Sequence, residues 1–250
     1  MSVSNQTATT FVIVLIGPPG AGKGTQCEQL AATLKIPHIS TGHLLREYAG
    51  RSSGVGQQVK NFIDAGNLVP DSLVMNVLEE RTRRRDCDAG FILDGFPRTY
   101  AQAKLLQMTL LSSWKAFDLR VLQLIVPKPI LLARLSSRLI CPVCGTGYNA
   151  TTKPPLRNRM CDLDGQALIT RADDLASTVL ERLRIYEEQV PALINYYRQC
   201  GVLTDVDGNR TVREIAADFL RALSLHPPLD LEKTAAQPAH FGSQTEDESR

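Results

Sequence analysis

The sequence predicts an α/β fold, a parallel β-sheet flanked by helices on both faces. Three observations predict it. Apolar, strand-like runs recur at FVIVLI (11–16), IPHIS (36–40), FILD (91–94), LRVLQLIV (119–126) and VLTDV (202–206). Helical patterns lie between and after them, over 22–34, 41–49, 72–85, 100–111, 128–140, 173–199 and 211–223. A glycine-rich stretch, GPPGAGKGT (17–25), joins the first strand to the first helix. Alternating strands and helices imply parallel pairing with helices over the sheet. Ligands of such a sheet bind at the carboxyl ends of its strands.

Length and composition bound the function. A chain of 250 residues, 43% hydrophobic, suits one sizeable domain with small insertions. The net charge of +2 is unevenly spread, since five acids and two bases fall after residue 225, leaving the body near +5. Such a balance gives no strong electrostatic footprint for nucleic acid or a membrane surface, and suits an anionic small substrate. No apolar run approaches membrane-spanning length. The segment MSVSNQTATT has no basic residue and fits neither a secretory signal nor a transit peptide. Six cysteines are present, three at metal-ligand spacing and three scattered. That argues against a disulfide framework and for a reducing, cytoplasmic compartment.

Two segments interrupt the alternation. Residues 40–70 read as a helical insert between the second and third strands. Residues 141–172 are rich in Cys, Pro, Gly and Asn without a helical period, and read as a lid or a disordered stretch. The region 226–250, with its prolines and acidic end, is expected to be disordered.

Each glycine of the loop, Gly17, Gly20, Gly22 and Gly24, lets the backbone curl around phosphate oxygens. The N–H groups then point inward at a helix N-terminus, where the dipole favours anions. Lys23 would reach the β/γ phosphates. The usual phosphate loop has Ser or Thr directly after Lys; here Gly24 intervenes before Thr25. A strand before, a helix after and Lys in register point to a P-loop NTPase-type sheet. Asp94, ending the strand FILD, is then the expected Mg²⁺ residue, often acting through water; as a lone residue it could be a turn residue before Gly95.

Together with DGFPRT (94–99) and ISTGHLLR (39–46), the loop makes the chain resemble the adenylate kinases, nucleoside monophosphate kinases that convert ATP and AMP into two ADP. The match runs in order from about residue 11 to about 223. The resemblance implies one domain over 1–225 with an NMP-binding insert at 40–69 and a lid at 137–174. It implies AMP contacts at Thr41, Arg46, Asn67, Leu68, Val69, Gly95, Phe96, Pro97, Arg98 and Gln102. The chemistry agrees, because an arginine fork binds phosphate bidentately and a glutamine amide can pair with an adenine edge. Thr41, Thr99 and Gln102 favour AMP over UMP or CMP, since relatives acting on those differ at these places. On the ATP side the resemblance implies Gly20, Ala21, Gly22, Lys23, Gly24, Thr25, Arg134, Arg138, Gly147, Tyr148 and Arg210. One departure stands out. His43 replaces the family's usual Asp, and an imidazole cannot accept hydrogen bonds from arginines as a carboxylate does. A changed closure contact, or a substitution of little effect, are both open.

Transfer of a phosphoryl group between phosphates requires positioning, charge neutralisation and exclusion of water, and no general base. Arg134 and Arg138 are four apart, on one helix face if the helix runs to 140. Arg171 and Arg182, eleven apart, share a face if their helix begins before Arg171. By resemblance Arg98, Arg138, Arg171 and Arg182 join Lys23 and Asp94 as the catalytic set, with Arg171 and Arg182 also on AMP. The run RTRRR (81–85) reads instead as a solvated helix end, where cations suit the dipole.

Cys141-Pro-Val-Cys144 is followed, after sixteen intervening residues, by Cys161-Asp-Leu-Asp164. This is zinc-ribbon spacing with the last ligand changed to Asp, and four ligands would make the Zn²⁺ structural. Asp162 competes with Asp164, which the spacing favours. The resemblance agrees, since some bacterial members carry a zinc-holding lid here. Tyr148 matches a lid position near ATP, or belongs to the core of the lid.

The leading reading is therefore an ATP:AMP phosphotransferase with Mg²⁺, acting on ATP, AMP and ADP as a monomer. A GTP:AMP phosphotransferase is its near rival. A zinc-ribbon nucleic-acid binder with an attached ATPase is disfavoured by the near-neutral charge. A silent nucleotide-binding scaffold is disfavoured because Lys23, Asp94, Arg98 and the lid arginines are all present.

Overall fold

The computed structural model describes residues 9–50, 54–114 and 116–224; the expectation for 226–250 falls outside them. In chain order its first half contains β1 (Thr10–Ile16), α1 (Lys23–Leu34), β2 (His38–Ser40), α2 (Thr41–Ala49), α3 (Gly54–Asp64), α4 (Asp71–Thr82), β3 (Gly90–Asp94) and α5 (Tyr100–Ser113). The second half contains β4 (Phe117–Ile125), α6 (Lys128–Ser136), β5 (Arg138–Ile140), β6 (Gly147–Asn149), α7 (Ala176–Gln199), β7 (Leu203–Asp207) and α8 (Val212–Ser224).

Five strands form one parallel sheet in the order β2-β3-β1-β4-β7. The period of two divides each central strand between two cores. On β1, Val12, Val14 and Ile16 join one apolar cluster and Ile13 and Leu15 the other. On β3, Phe91 and Leu93 face the first and Ile92 the second. Helices α4 and α5 cover the first face, for example with Leu78 and Leu110. Helices α1, α6 and α8 cover the second with Leu30, Leu131 and Phe219. Helix α7 serves both, contributing Val179 and Leu183 to one and Leu193 and Tyr197 to the other. Burial on both faces explains why these strands read as continuous apolar runs. Each fully buried Leu, Ile or Val contributes roughly 1.5–3 kcal/mol.

Three expectations are corrected. The helix expected over 128–140 ends at Ser136, and Arg138 lies on β5. Residues 138–140 pair antiparallel with β6 instead, and Asn149 Nδ2 donates to the Arg134 carbonyl, closing the helix end (2.9 Å). Arg134 and Arg138 therefore do not share a helix face. Likewise α7 starts at Ala176, so Arg171 and Arg182 do not sit on one helix. A short 3-10 turn, Ala172–Asp174, precedes it, with both of its acids tied to arginines. Helix α4 also stops early, at Thr82, before a second 3-10 turn at Arg85–Cys87.

The cysteine segment is a small unit of its own. Strands β5 and β6 form a hairpin, and bridges join Ile140 to Ile169 and Met160 to Ala167. Its core is Cys141, Tyr148, Cys161 and Leu168, with Leu139 packed against them. Among the described residues, no helix is long and apolar enough to cross a membrane.

Candidate active site

Strands β1, β2 and β3 all end at one edge of the sheet, and the site is built there. The loop from β1 to α1 turns with Gly20 at φ 83° and Gly22 at φ 94°, a backbone region that favours glycine. A Cβ on Gly20 would stand 2.8 Å from Leu135 Cγ, so the loop also needs glycine for closeness to α6. Helix α1 starts with no side-chain cap and no acid in its first turn. Its leading N–H groups and dipole are thereby left for an anion. Lys23, the first residue of α1, donates to the loop carbonyls of Gly17 (2.8 Å) and Pro18 (3.1 Å). Burial pushes its ammonium down to about 8, against the attraction of Asp94 and with the help of Arg98 and Arg182.

Asp94 ends β3. Burial pushes its carboxyl up, but His38, Lys23 and Arg98 outweigh this and hold it below the usual carboxylate range. His38 Nε2 lies 3.6 Å from Asp94 Oδ2, too long for a hydrogen bond, so that attraction is one of charge when the imidazole is protonated. An ionised carboxylate facing the cleft beside the phosphate loop is a fitting donor for a hard cation such as Mg²⁺.

A cleft of about 1490 Å³ runs over this edge. It is lined by the loop residues Gly20 to Thr25, including Ala21 and Gly24, and by Asp94, Arg134, Arg138, Gly147, Tyr148 and Arg210. A smaller cavity of about 70 Å³ adjoins it. Its lining includes Thr41, Asn67, Leu68, Val69, Phe96 and Gln102. Arg46, Gly95, Arg98, Arg171 and Arg182 line both. Four guanidinium groups thus stand where the two spaces meet. Pro97 lines neither; it follows a cis peptide bond from Phe96.

Local contacts explain how the side chains are held. Thr41 donates to the Asp94 carbonyl (3.0 Å), tying the start of α2 to the end of β3. Arg98 Nε donates to the Gly95 carbonyl (2.7 Å). Thr99 caps α5 by accepting from the Gln102 N–H (3.1 Å). The Gln102 amide accepts from the Arg98 N–H and donates to Asp71 Oδ1, both at 2.7 Å. Arg134 donates to the carbonyls of Ala21 (3.3 Å) and Gly208 (3.0 Å). Arg210 pairs with Asp218 and Glu214 at the cleft rim.

The sequence reading missed Asp173 and Asp174. Both are buried. Asp173 accepts two hydrogen bonds from Arg171, at 2.8 and 2.7 Å, and Arg182 Nη1 stands 3.2 Å from it. Asp174 accepts from Arg138 and from Arg182 (3.2 Å). Burial raises the Asp173 carboxyl, but Arg171 and Arg182 outweigh it and hold it down at about 2. Burial, then repulsion by Arg171 in one case and by Arg138 in the other, pushes Arg46 and Arg182 down to about 10, against the attraction of Asp173. Two carboxylates thus anchor a crowd of arginines whose mutual repulsion a polyphosphate would relieve. Two consecutive acids after Arg171 in TRADD were the available signal. Arg81 was also more than a solvated cation, since it pairs with Asp86 (2.7 Å) and donates to Cys87 Sγ (3.2 Å) at the cleft wall. Arg83, Arg84 and Arg85 are exposed, as expected for a helix end.

In the cysteine segment, one ligand atom from each of Cys141, Cys144, Cys161 and Asp164 lies within 4.8 Å of the others. Cys141 Sγ is 3.2 Å from Asp164 Oδ2, and Cys144 Sγ is 3.5 Å from Cys161 Sγ. Ligands around one tetrahedral metal stand about this far apart. Asp162 turns away, accepting from the Leu156 N–H (2.8 Å). Tyr148 lies in the core of this segment and its hydroxyl accepts from the Asp162 N–H (2.8 Å), while its ring also lines the cleft. His43, 4.0 Å from Glu47, lies against Gly145, where an added Cβ would meet the imidazole at 3.0 Å.

The adenylate kinase family model matches residues 15–202. The chain is 44% identical to the adenylate kinase of Moorella thermoacetica over 211 residues, 84% of this chain and 97% of that one. It is 44% identical to that of Shouchella clausii over 212 residues, covering 85% and 97% of the two. With that of Clostridium beijerinckii it shares 41% identity over 203 residues, 81% and 94% of each. A phosphate loop facing a second pocket across an arginine junction, and likeness over nearly the whole length of these proteins, agree: the chain belongs to the adenylate kinase family of nucleoside monophosphate kinases.

Proposed function

We propose that the chain catalyses ATP + AMP = 2 ADP, with ATP in the large cleft and the AMP base in the small cavity. The observation that carries this reading is the set Arg46, Arg98, Arg171 and Arg182, which lines both spaces. Two anionic nucleotides meeting there would bring their reacting phosphates among these cations. An AMP phosphate oxygen attacks the γ-phosphorus, the bond to the β–γ bridging oxygen breaks, and ADP leaves from each side. The acceptor is already an oxyanion, so no base is needed.

Each group then has a role. The loop N–H groups and Lys23 hold the β/γ phosphates. Arg98, Arg171 and Arg182 neutralise charge on the moving group, with Arg138 closing from the ATP side and Arg46 from the AMP side. Gln102 exchanges Asp71 for the adenine edge. Bound Mg²⁺, held from Asp94, would supply further charge neutralisation. Residues 137–174 act as the lid that excludes water, and residues 40–69 as the AMP-binding insert, of one domain spanning 1–225. The set Cys141, Cys144, Cys161 and Asp164 suits Zn²⁺ as a structural ion that stiffens the lid. The enzyme acts as a cytoplasmic monomer on free nucleotides rather than nucleic acid.

The test is ADP formation by the pure protein with ATP, Mg²⁺ and each of AMP, UMP, CMP and GMP, then GTP with AMP. Rapid transfer to AMP alone, from ATP in preference to GTP, is expected. Transfer to none of the monophosphates, with ATP still bound, would overturn the reading in favour of a scaffold.

A further inference from the structure

Beneath the phosphate loop, three side chains of metal-ligating chemistry converge from different elements: Cys27 on α1, His38 on β2 and Asp94 at the end of β3. One ligand atom from each lies within 4.8 Å of the other two. Cys27 is a free thiol with no exposed surface. His38 Nε2 is buried and has no hydrogen-bond partner among the described residues. An imidazole nitrogen left unbonded in a polar setting is a costly arrangement that a ligand would relieve. Asp94 Oδ2 is 3.6 Å from it. His38 and Asp94 line the large cleft, which gives a cation its route in, and Cys27 closes the back. Gly24 packs beside this group, where an added Cβ would be in van der Waals contact with Asp94 Oδ2 at 3.6 Å.

We propose that Cys27 Sγ, His38 Nε2 and the Asp94 carboxylate form a three-ligand site for a soft divalent cation such as Zn²⁺, separate from the Cys141 cluster. A thiolate and an imidazole select Zn²⁺ over Mg²⁺, which prefers oxygen. As the metal–sulfur bond forms, the Cys27 proton leaves to solvent. Burial holds this thiol well above its usual range, so without the metal it stays protonated and unreactive. Occupation would take Asp94 away from the nucleotide's Mg²⁺ and so inhibit transfer by competition. That second half rests on the proposed magnesium role of Asp94; the binding itself does not.

The experiment uses the full chain with its first equivalent of zinc bound. Equilibrium dialysis against Zn²⁺, and Co²⁺ with its thiolate charge-transfer absorption, count further ions. A second equivalent is expected in the wild type. It should weaken at least about tenfold in Cys27→Ala and in His38→Gln, with the first equivalent kept by both. Added Zn²⁺ should inhibit ADP formation by the wild type but not by Cys27→Ala, whose zinc-free rate matches the wild type. His38→Gln leaves the buried thiol in place and so guards against a packing artefact in Cys27→Ala. No second equivalent in the wild type, or one that both variants retain, overturns the site. A second equivalent that leaves ADP formation untouched upholds the site and overturns the magnesium role of Asp94.

Discussion

On β1, Val12, Ile13 and Val14 are at 0% exposure, enclosed by apolar side chains on both faces of the sheet. In the cysteine segment the buried cluster is four residues, two of them cysteines, while Val143, Leu156 and Leu163 are 69%, 90% and 75% exposed. The sheet is held by apolar burial, and it fixes the phosphate loop, Asp94 and Arg98 relative to one another. The cysteine segment has little apolar core of its own, and the proposed Zn²⁺ at its ligand set would add a cross-link. The difference suits the two proposed tasks, a rigid floor and a lid. A floor that positions reacting groups must not yield, whereas a cover must open and close without unfolding the floor.

The comparison can be broken at several points, beginning where the effect is largest. Lys23→Ala should lower kcat/KM for ADP formation by about a thousandfold, since one preorganised donor on a developing charge is worth about 10²–10³. Its melting temperature should stay near the wild-type value. Activity within tenfold of wild type would move the donor phosphates off the floor. Next, Leu110→Ala, at a position with no exposure in the sheet core, should cost about 3 kcal/mol in urea unfolding. Leu168→Ala in the cysteine segment should leave the main unfolding midpoint within about 1 kcal/mol. Equal costs would mean the two regions unfold as one unit.

Chelation, which would strip the proposed Zn²⁺, should speed proteolysis within 137–174 by about tenfold or more, while amide protection in β1 and β3 stays unchanged. Protection lost equally in both would refute separate construction. A pH effect sharpens the role of the floor. The Lys23 ammonium is charged below about 8 and loses its charge above it. ATP affinity should therefore fall by about tenfold between pH 7 and pH 9, with a flat profile showing that Lys23 keeps its proton. The smallest effect is expected at the contact between the two regions. His43→Asp should change kcat/KM by less than about tenfold, a barrier change under about 1.4 kcal/mol. A larger change would make the packing of His43 against Gly145 part of the closing motion.

Some of this was legible because it is local. GPPGAGKGT lies between an apolar strand and a helix, and backbone sterics at Gly20 and Gly22 leave few alternatives to a tight phosphate-binding turn. Zinc-ribbon spacing placed Cys141, Cys144 and Cys161 together, and left Asp162 and Asp164 as rivals. Only the fold turned Asp162 toward the Leu156 N–H and Asp164 toward Cys141. The helix limits near 137 and 175 were misjudged for a related reason. At the first, the residues suit a helix, but strand pairing with 147–149 intervened; at the second, salt bridges of Asp173 and Asp174 with distant arginines did.

By itself the sequence determined the alternation of strands and helices, the phosphate loop and the presence of a surplus of arginines. Those features are written in short-range patterns of side-chain type, which need no knowledge of distant contacts. Only the tertiary structure decided that four of the arginines line both cavities, that Asp173 and Asp174 hold Arg138, Arg171 and Arg182, and that Cys27, His38 and Asp94 converge under the loop. Apart from the neighbouring pair Arg171 and Asp173, these contacts join residues that are not local in the chain, such as Arg138 and Asp174, 36 positions apart. They exist because β1, β2 and β3 end at one edge and the helices after them pack back over it, which no local pattern encodes.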